Sequence, residues 1–324
     1  MSNIQNINGR KPATLVRGRA QDLRAPIQKM ITDSLQLNLP VDFPRNAVLR
    51  DARPFVKWVG GKQQLLAQFE RYFPTAFRRY CEPFLGGGAV FFHLCNTGRI
   101  PKQTFLFDNN YELINAYSVV RDKVDELIET LAIHKERHDK KYYYKTRRLD
   151  RQESQLSDTE RAARTIYLNR TCYNGLYRVN SKGQFNVPMG SYINPQILHQ
   201  DVLRTASAAL QGVNIELRDF RTIEDFVQPK DFFYFDPPYD PLSKTASFTG
   251  YTSDSFDEED QRELARVFTL LAEKGAFVML SNSNTPLILE LYRKFRIETV
   301  RAKRAVNSDA NGRGWIPEVV VLNY

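Results

Sequence analysis

Nine residues, 231–239, read DFFYFDPPY and constrain the chain more than any other stretch. Phe232 to Phe235 are a continuous apolar run, which predicts a short strand buried on both faces. Pro237 and Pro238 have no backbone donor and cannot continue a ladder, so the strand stops at Asp236. The Asp236 carboxylate and the Pro237 carbonyl are left facing outward, and Tyr239 offers a ring face beside them. The ends of such strands are where open α/β sheets bind ligands. A planar group carrying an NH2 suits this corner, with two hydrogens for two acceptors and a plane to stack on Tyr239. The plainer reading is a strand stop with an Asp cap, and the rest of the chain has to decide between them.

A second corner lies upstream. In RRYCEPFLGGGAVFFHLCN, residues 79–82 read as a strand, 84–88 as a glycine loop and 89–96 as a helix. Strand, glycine loop and helix N-terminus make a nucleotide-type site. The loop is not GxGxxG, and no Lys-Ser or Lys-Thr follows it, which disfavours a phosphate-cradling loop. The next apolar run, 104–107, ends in Asp108, 22 residues after Gly86. An acid there is placed to hold ribose hydroxyls. These signals predict a doubly wound domain binding an adenosine-containing cofactor, without choosing between a dinucleotide and S-adenosylmethionine. Just before them, PFVKWVGGKQQLL sets Lys57, Trp58, Gly60, Gly61 and Lys62 together ahead of a helix pattern over 63–72.

From 111 to about 170 the pattern is helical and charged, and KKYYYKTRRLDR reads as a solvated helix face. The segment 176–187 then places two short arms around Asn180-Ser181-Lys182-Gly183, a hairpin signal. Arg178 projects from one arm, which suits a DNA major groove. Strands are expected again at 213–217, 276–281, near 296–300 and near 318–323, with a helix over 258–273. Residues 248–251, FTGY, fall in the loop after DPPY, where they could close over a bound base. A polar loop with Arg301, Lys303, Arg304, Asn311, Gly312 and Arg313 separates the last two strands.

Charge bears on the partner. The formal net charge is +9, which favours a polyanion. Much of it sits in residues 1–50, where eight basic residues face three acidic ones; this stretch is expected to be a basic, flexible extension. No apolar stretch approaches the length of a membrane span, and no apolar signal core begins the chain. Cys81, Cys95 and Cys172 form no CxxC pair, and His93, His134, His138 and His199 have no metal spacing, so neither a metal site nor a disulfide framework is expected and a reducing cytoplasm fits.

Taken in order, KWVGGK, EPFLGGGAVFF, YNGLYRVNSKGQFNVPMG, DPPY with FTGY, and SNSNT resemble the Dam family of adenine-specific DNA methyltransferases, of the class alpha, D12 type. The resemblance covers about residues 53–324. It implies an α/β, Rossmann-like S-adenosylmethionine-dependent methyltransferase sheet with an inserted, mostly helical target-recognition domain carrying a β-hairpin. The implied division is a catalytic domain over 51–125 and 220–324 and a target-recognition domain over 126–219. S-adenosylmethionine is the implied methyl donor and double-stranded DNA the implied partner. Matched by position, Trp58, Gly60, Lys62, Glu82, Phe84, Gly86, Asp108 and Asp236 would surround the cofactor. Asp236, Pro237, Pro238 and Tyr239 would hold a flipped adenine. Lys57, Tyr173, Asn174, Leu176, Arg178 and Pro188 would contact DNA, with Lys57 and Arg178 matching guanine readers. The implied site is GATC or a related sequence containing GA. Thr171-Cys172 and Ser181-Lys182 depart from the family's better-known pairs, which bears on the outer bases.

In that reading Asp236 and the Pro237 carbonyl accept the amine hydrogens and stabilise positive charge as it develops on the nitrogen. Three other readings compete. An NAD-dependent oxidoreductase would use the glycine loop, but DPPY has no part in hydride transfer. An RNA adenine methyltransferase could share the pocket, though the hairpin favours duplex DNA. A non-catalytic DNA-binding regulator would not need Asp236, Tyr239 and Asp108. The oligomeric state stays open.

Overall fold

Seven strands form one sheet in the order β3-β2-β1-β4-β5-β7-β6. They are β1 (Tyr80–Glu82), β2 (Thr104–Asp108), β3 (Asn214–Leu217), β4 (Phe232–Phe235), β5 (Phe277–Ser283), β6 (Arg296–Lys303) and β7 (Trp315–Leu322). The computed structural model describes residues 51–151, 156–242, 256–303 and 315–324. The basic leader, residues 248–251 and most of the polar loop between β6 and β7 lie outside the described residues. Every described residue belongs to one unit, Arg45–Tyr324.

β4 is the central strand. It pairs in parallel with β1 on one side and β5 on the other. Its four residues are fully buried, as a continuous apolar run requires when both faces of a sheet are covered. Phe232 and Tyr234 join the core on one face, with α2 (Ala89–Asn96), α3 (Tyr111–Asp122) and α6 (Asp158–Thr171). Phe233 and Phe235 join the core on the other, with α8 (Glu258–Glu273). Alternation along one strand thus serves two cores. β5 and β6 both pair antiparallel with β7, which lies between them. The order β3-β2-β1-β4-β5 is that of a doubly wound sheet, and its direction of winding reverses between β1 and β4. The fold is Rossmann-like.

The long excursion leaves the sheet after α3. It carries α4 (Val124–Glu136), α5 (Lys140–Arg147), a 3-10 turn (Arg148–Arg151), α6, an irregular hairpin and α7 (Gln200–Leu210) before returning at β3. β3 falls inside the segment 126–219 and pairs in parallel with β2. α6 starts at a capping box between Ser157 and Glu160, and ten of its fourteen residues are buried, which makes it the spine of the excursion.

Two elements differ from expectation. The helix expected over 63–72 is broken into a 3-10 turn (Lys62–Gln64), one turn of α-helix, α1 (Leu66–Phe69), and another 3-10 turn (Glu70–Tyr72). Lys62 is buried at one end and Tyr72 and Phe73 at the other, so tertiary anchors override a weak local preference. The hairpin is held by a tight turn, in which the Gly183 N–H donates to the Asn180 carbonyl and the Asn180 N–H to that of Gln184. Its arms pair at one bridge, Val179 with Phe185, rather than as two regular strands.

Candidate active site and DNA-facing surface

The carboxyl edge of the sheet gathers acids from strands far apart in sequence. Glu82 ends β1, Asp108 ends β2 and Asp236 follows β4. Antiparallel β7 brings Glu318 opposite Ser283 of β5, at the same edge. A cavity of about 170 Å³ opens there, bordered by Trp58, Gly61, Lys62, Glu82, Leu85, Gly87, Gly88, Tyr234 and Asp236, among others.

Of the residues expected around a cofactor, Trp58, Lys62, Glu82 and Asp236 border this cavity. Gly86 and Asp108 stand beside it as one unit, since the Gly86 N–H donates to Asp108 Oδ2 at 3.0 Å and the Asn110 N–H to Oδ1 at 2.9 Å. Gly86 has φ +49°, and a Cβ on it would come within 2.9 Å of the Trp58 ring, so the loop backbone and the indole meet only because the residue is glycine. Phe84 turns to the other face of the sheet and packs on Phe220, Phe235 and Phe256. Burial pushes the Glu82 carboxyl up to about 8; the Asp236 and Asp108 charges add to this, and the Tyr80 hydroxyl, donating to it at 2.7 Å, works against it. Burial raises Asp108 to about 6, against the pull of the loop N–H groups.

The DPPY corner is stapled to the end of β5. The Ser281 hydroxyl donates to Asp236 Oδ1 at 3.1 Å and lies 3.0 Å from the Tyr234 hydroxyl. Asn282 Oδ1 accepts from the Asp240 N–H at 3.1 Å, and Gln261 Nε2 donates to the Pro238 carbonyl at 3.0 Å. Pro237 is buried and Pro238 exposed. The Tyr239 hydroxyl donates to Glu318 Oε2 at 2.9 Å. Lys62 reaches into this corner, with Nζ 2.7 Å from Asp236 Oδ1 and 4.5 Å from the centre of the Tyr239 ring. Burial raises the carboxyls of both Asp236 and Glu318, and Lys62 opposes the rise in both. Sequence reasoning used SNSNT only as a motif of the resemblance and placed Glu318 at the start of a strand without a part in the site.

A second group of residues lines the surface near the excursion. Lys57, Tyr173, Asn174, Arg178 and Pro188 are exposed and Leu176 is half-buried. Asn169, buried in α6, joins their supports: its side chain accepts from the Lys57 N–H at 2.7 Å and donates to the carbonyls of Lys57 at 2.6 Å and Gly175 at 3.0 Å. Gly175, at φ +66°, has no room for a Cβ, which would meet the Lys57 side chain at 2.9 Å. Asn174 is itself left-handed at φ +55°, a conformation asparagine tolerates. Lys57 Nζ sits 4.7 Å over the Tyr192 ring, and the Arg178 guanidinium donates to Asn186 Oδ1 at 2.7 Å. Tyr177 stacks on Trp58 with ring centres 5.4 Å apart, so the hairpin base touches the wall of the cavity. Asn169 and Tyr192 went unnoticed in the sequence; a lone Asn within the apolar pattern of α6 was the available signal.

The basic-aromatic run that reads as a solvated face is divided: Lys140, Lys141, Lys145 and Arg148 are exposed, while other members turn toward the hairpin arm. Tyr143 is fully buried and donates to the Val187 carbonyl at 3.0 Å. Arg147 donates to the same carbonyl and Arg151 to that of Phe185, while Asp150 accepts the Phe185 N–H at 2.8 Å and pairs with buried Arg164. An arm with only one ladder bridge needs these donors to satisfy its backbone.

A family model of the D12 class N6 adenine-specific DNA methyltransferases matches residues 58–306. The chain belongs to that family. It is similar to the Type II methyltransferase M1.LlaDCHI of Lactococcus lactis subsp. cremoris, at 45% identity over 276 residues, 84% of this chain and 95% of that protein. It is 42% identical to the Type II methyltransferase M.MjaIII of Methanocaldococcus jannaschii over 289 residues, 85% of this chain and all of the relative. The DNA adenine methylase of Escherichia coli K12 is 32% identical over 277 residues, 85% of this chain and 96% of its own length. The protein is therefore an adenine-specific DNA methyltransferase. Among the described residues of this methyltransferase no helix is long and apolar enough to cross a membrane, and no cluster of His, Cys, Asp and Glu suits a metal ion.

Proposed function

We propose that this methyltransferase transfers a methyl group from S-adenosylmethionine to N6 of an adenine swung out of duplex DNA, in GATC or a related site containing GA. The observation that carries the reading is the corner at the end of β4, where Asp236 borders the cavity with its side chain only 21% exposed and Lys62 Nζ lies between it and the Tyr239 ring. A base still stacked in the duplex does not reach a recessed carboxylate, so the adenine must leave the helix.

The edge also bears on the cofactor. Asp108, Asp236 and Glu318 bring acidic groups to this edge, which disfavours a pyrophosphate and suits a cationic, hydroxyl-bearing molecule; Glu82, pushed up to about 8 by burial, adds a protonated carboxyl that can donate. The glycine cradle against Trp58 leaves backbone open to such a ligand. When bound, S-adenosylmethionine supplies a methyl already activated on a sulfonium. Trp58, Gly60, Lys62, Glu82, Gly86 and Asp108 are the residues assigned to hold it; Phe84 shapes the loop from the far face. Asp236 and the Pro237 carbonyl accept the amine hydrogens and stabilise the positive charge that grows on nitrogen. Pro238 holds the turn and Tyr239 aligns the ring. The part of 126–219 outside the sheet reads the DNA together with Lys57 of the catalytic domain: Tyr173 and Asn174 enter the space the base leaves, Lys57 and Arg178 read guanines, and Leu176 and Pro188 meet base edges between them.

Expression in a host without adenine methylation, followed by sequencing for modified bases, tests the reading. N6-methyladenine in GATC is the expected result. Methylation at a motif lacking GA rejects the role of Lys57, and no modified adenine rejects the function. Asp236→Ala should lower methyl transfer by about 10²–10³-fold while cofactor binding persists.

A further inference from the structure

The base corner already holds a nitrogen donor. Lys62 is only 4% exposed, and its ammonium lies 2.7 Å from Asp236 Oδ1 and 4.5 Å from the centre of the Tyr239 ring, with the Gly60 carbonyl as a further acceptor. A target amine needs the same two things, the Asp236 carboxylate and the space in front of Tyr239. Oδ1 also receives the Ser281 hydroxyl, so its two acceptor sites are filled while Lys62 stays, and the ammonium also takes the space in front of Tyr239 that an amine turned toward Oδ2 would need. We propose that Lys62 is a place-holder for the target nitrogen: its ammonium occupies the amine position while no base is bound and yields it to the adenine. The inference rests on the reading that adenine N6 binds at Asp236, and it gives Lys62 a role beyond the cofactor wall.

Charge explains why a place-holder is useful here. The groups facing Asp236 are Glu82 from β1, Tyr234 from β4, Tyr239, Ser281 from β5, Glu318 from β7 and Lys62. Lys62 is the cation of this set. Burial pushes the Asp236 carboxyl up, and Lys62 and Ser281 hold it down. Without Lys62 only Ser281 opposes the effect of burial, which favours the protonated carboxyl and so a donor where the amine needs an acceptor. Glu318 feels the Lys62 charge as well, so an ammonium displaced toward Glu318 stays paired after the base enters. The exchange costs less than releasing a buried charge unpaired.

The test uses the full-length enzyme, Lys62→Met, and a duplex with 2-aminopurine at the target position of the mapped site. Any purine ring stacking on Tyr239 must move the ammonium, so the probe reports on displacement even though it lacks the 6-amino group. At saturating enzyme, Lys62→Met should raise 2-aminopurine fluorescence about threefold, because one term opposing the flipped state is gone. On unmodified duplex, the acid limb of its single-turnover rate should move to higher pH. Unchanged fluorescence with an unmoved acid limb overturns the proposal; a loss of S-adenosylmethionine affinity as the sole effect assigns Lys62 to the cofactor instead. Where thermal melting shows Lys62→Met unfolded, Lys62→Gln carries the same readouts. Wild-type methylation of adenine is measured first: its absence removes the functional reading, whereas normal wild-type activity with an indifferent Lys62 variant removes only the place-holder.

Discussion

Removing the hydroxyl of Tyr239 isolates a contact that holds the ring and does not itself touch the acceptor pair. That hydroxyl donates to Glu318 Oε2 at 2.9 Å, from a carboxylate whose burial raises its pKa and which Lys62 and the hydroxyl together hold down. A hydrogen bond to a charged group contributes about 1.5–3 kcal/mol net. At about 1.4 kcal/mol per tenfold, losing it should slow methyl transfer by about 10- to 100-fold where ring alignment limits the rate. Tyr239→Phe and Glu318→Leu should show similar losses. The double variant should be no slower than either, because each single change already removes the same bond. Glu318→Gln keeps an acceptor and should stay within about threefold of wild type, well below the cost of an unpaired buried hydroxyl. Single-turnover methylation of a cognate duplex measures all four proteins, with thermal melting as the folding control. Losses that multiply in the double variant would show two independent effects and refute the claim that Glu318 acts through Tyr239.

Three further outcomes are expected. Asp108 is raised to about 6, so its charge as an acceptor for a ribose hydroxyl is lost as pH falls through that value; S-adenosylmethionine affinity by calorimetry should weaken below about pH 6, and Asp108→Asn should bind more weakly with no such pH dependence. Glu82 has a folded-state pKa raised from 4.5 to about 8, so the unfolded state releases the proton first and stability falls as pH rises between those values; Glu82→Gln should flatten the decline of melting temperature over that range, and an unchanged slope would contradict it. Asn169→Ala removes three hydrogen bonds from a buried site, and a melting temperature and a cognate-DNA affinity both within error of wild type would rule out the clamp; the expected destabilisation is about 1–3 kcal/mol.

What was legible in the sequence was local. A four-residue apolar run stopped by two prolines specifies a buried central strand whatever surrounds it, and the helices at Ala89–Asn96 and Glu258–Glu273 match their expected bounds. The glycine loop and Asp108 were readable because strand, turn and acid keep fixed spacings. Glu318 was not, because it reaches the corner through the antiparallel pairing of β7 with β5, a tertiary fact with no local signature. Lys62 was assigned to the cofactor by position, and nothing in KWVGGK shows that its side chain turns toward residue 236. Of the basic residues of α5 and the following 3-10 turn, Lys140, Lys141, Lys145 and Arg148 are exposed as a solvated face requires, whereas Arg147 and Arg151 are spent on carbonyls of an arm with little ladder of its own, which charge alone does not reveal.

Recognition and chemistry share one short piece of chain. Lys57 is fixed through its backbone by Asn169, which also holds the Tyr173–Gly175 turn, while Lys62, five residues on, is fixed through its side chain by Asp236. Between them Trp58 lies against both Tyr177 of the hairpin and the glycine loop. The contacts at the two ends differ in kind. Asn169 holds Lys57 by two neutral hydrogen bonds and Gly175 by a third, all to backbone. The Lys62–Asp236 pair is a charge-assisted contact of side chains, which in the proposed exchange an amine replaces donor for donor. On the proposed roles, a rearrangement on base entry would be concentrated at Lys62, on the far side of two glycines, while Lys57 stays where α6 holds it. The same geometry accounts for the burial of Asn169: an exposed clamp would trade its bonds for water and let the reader and the pocket drift apart.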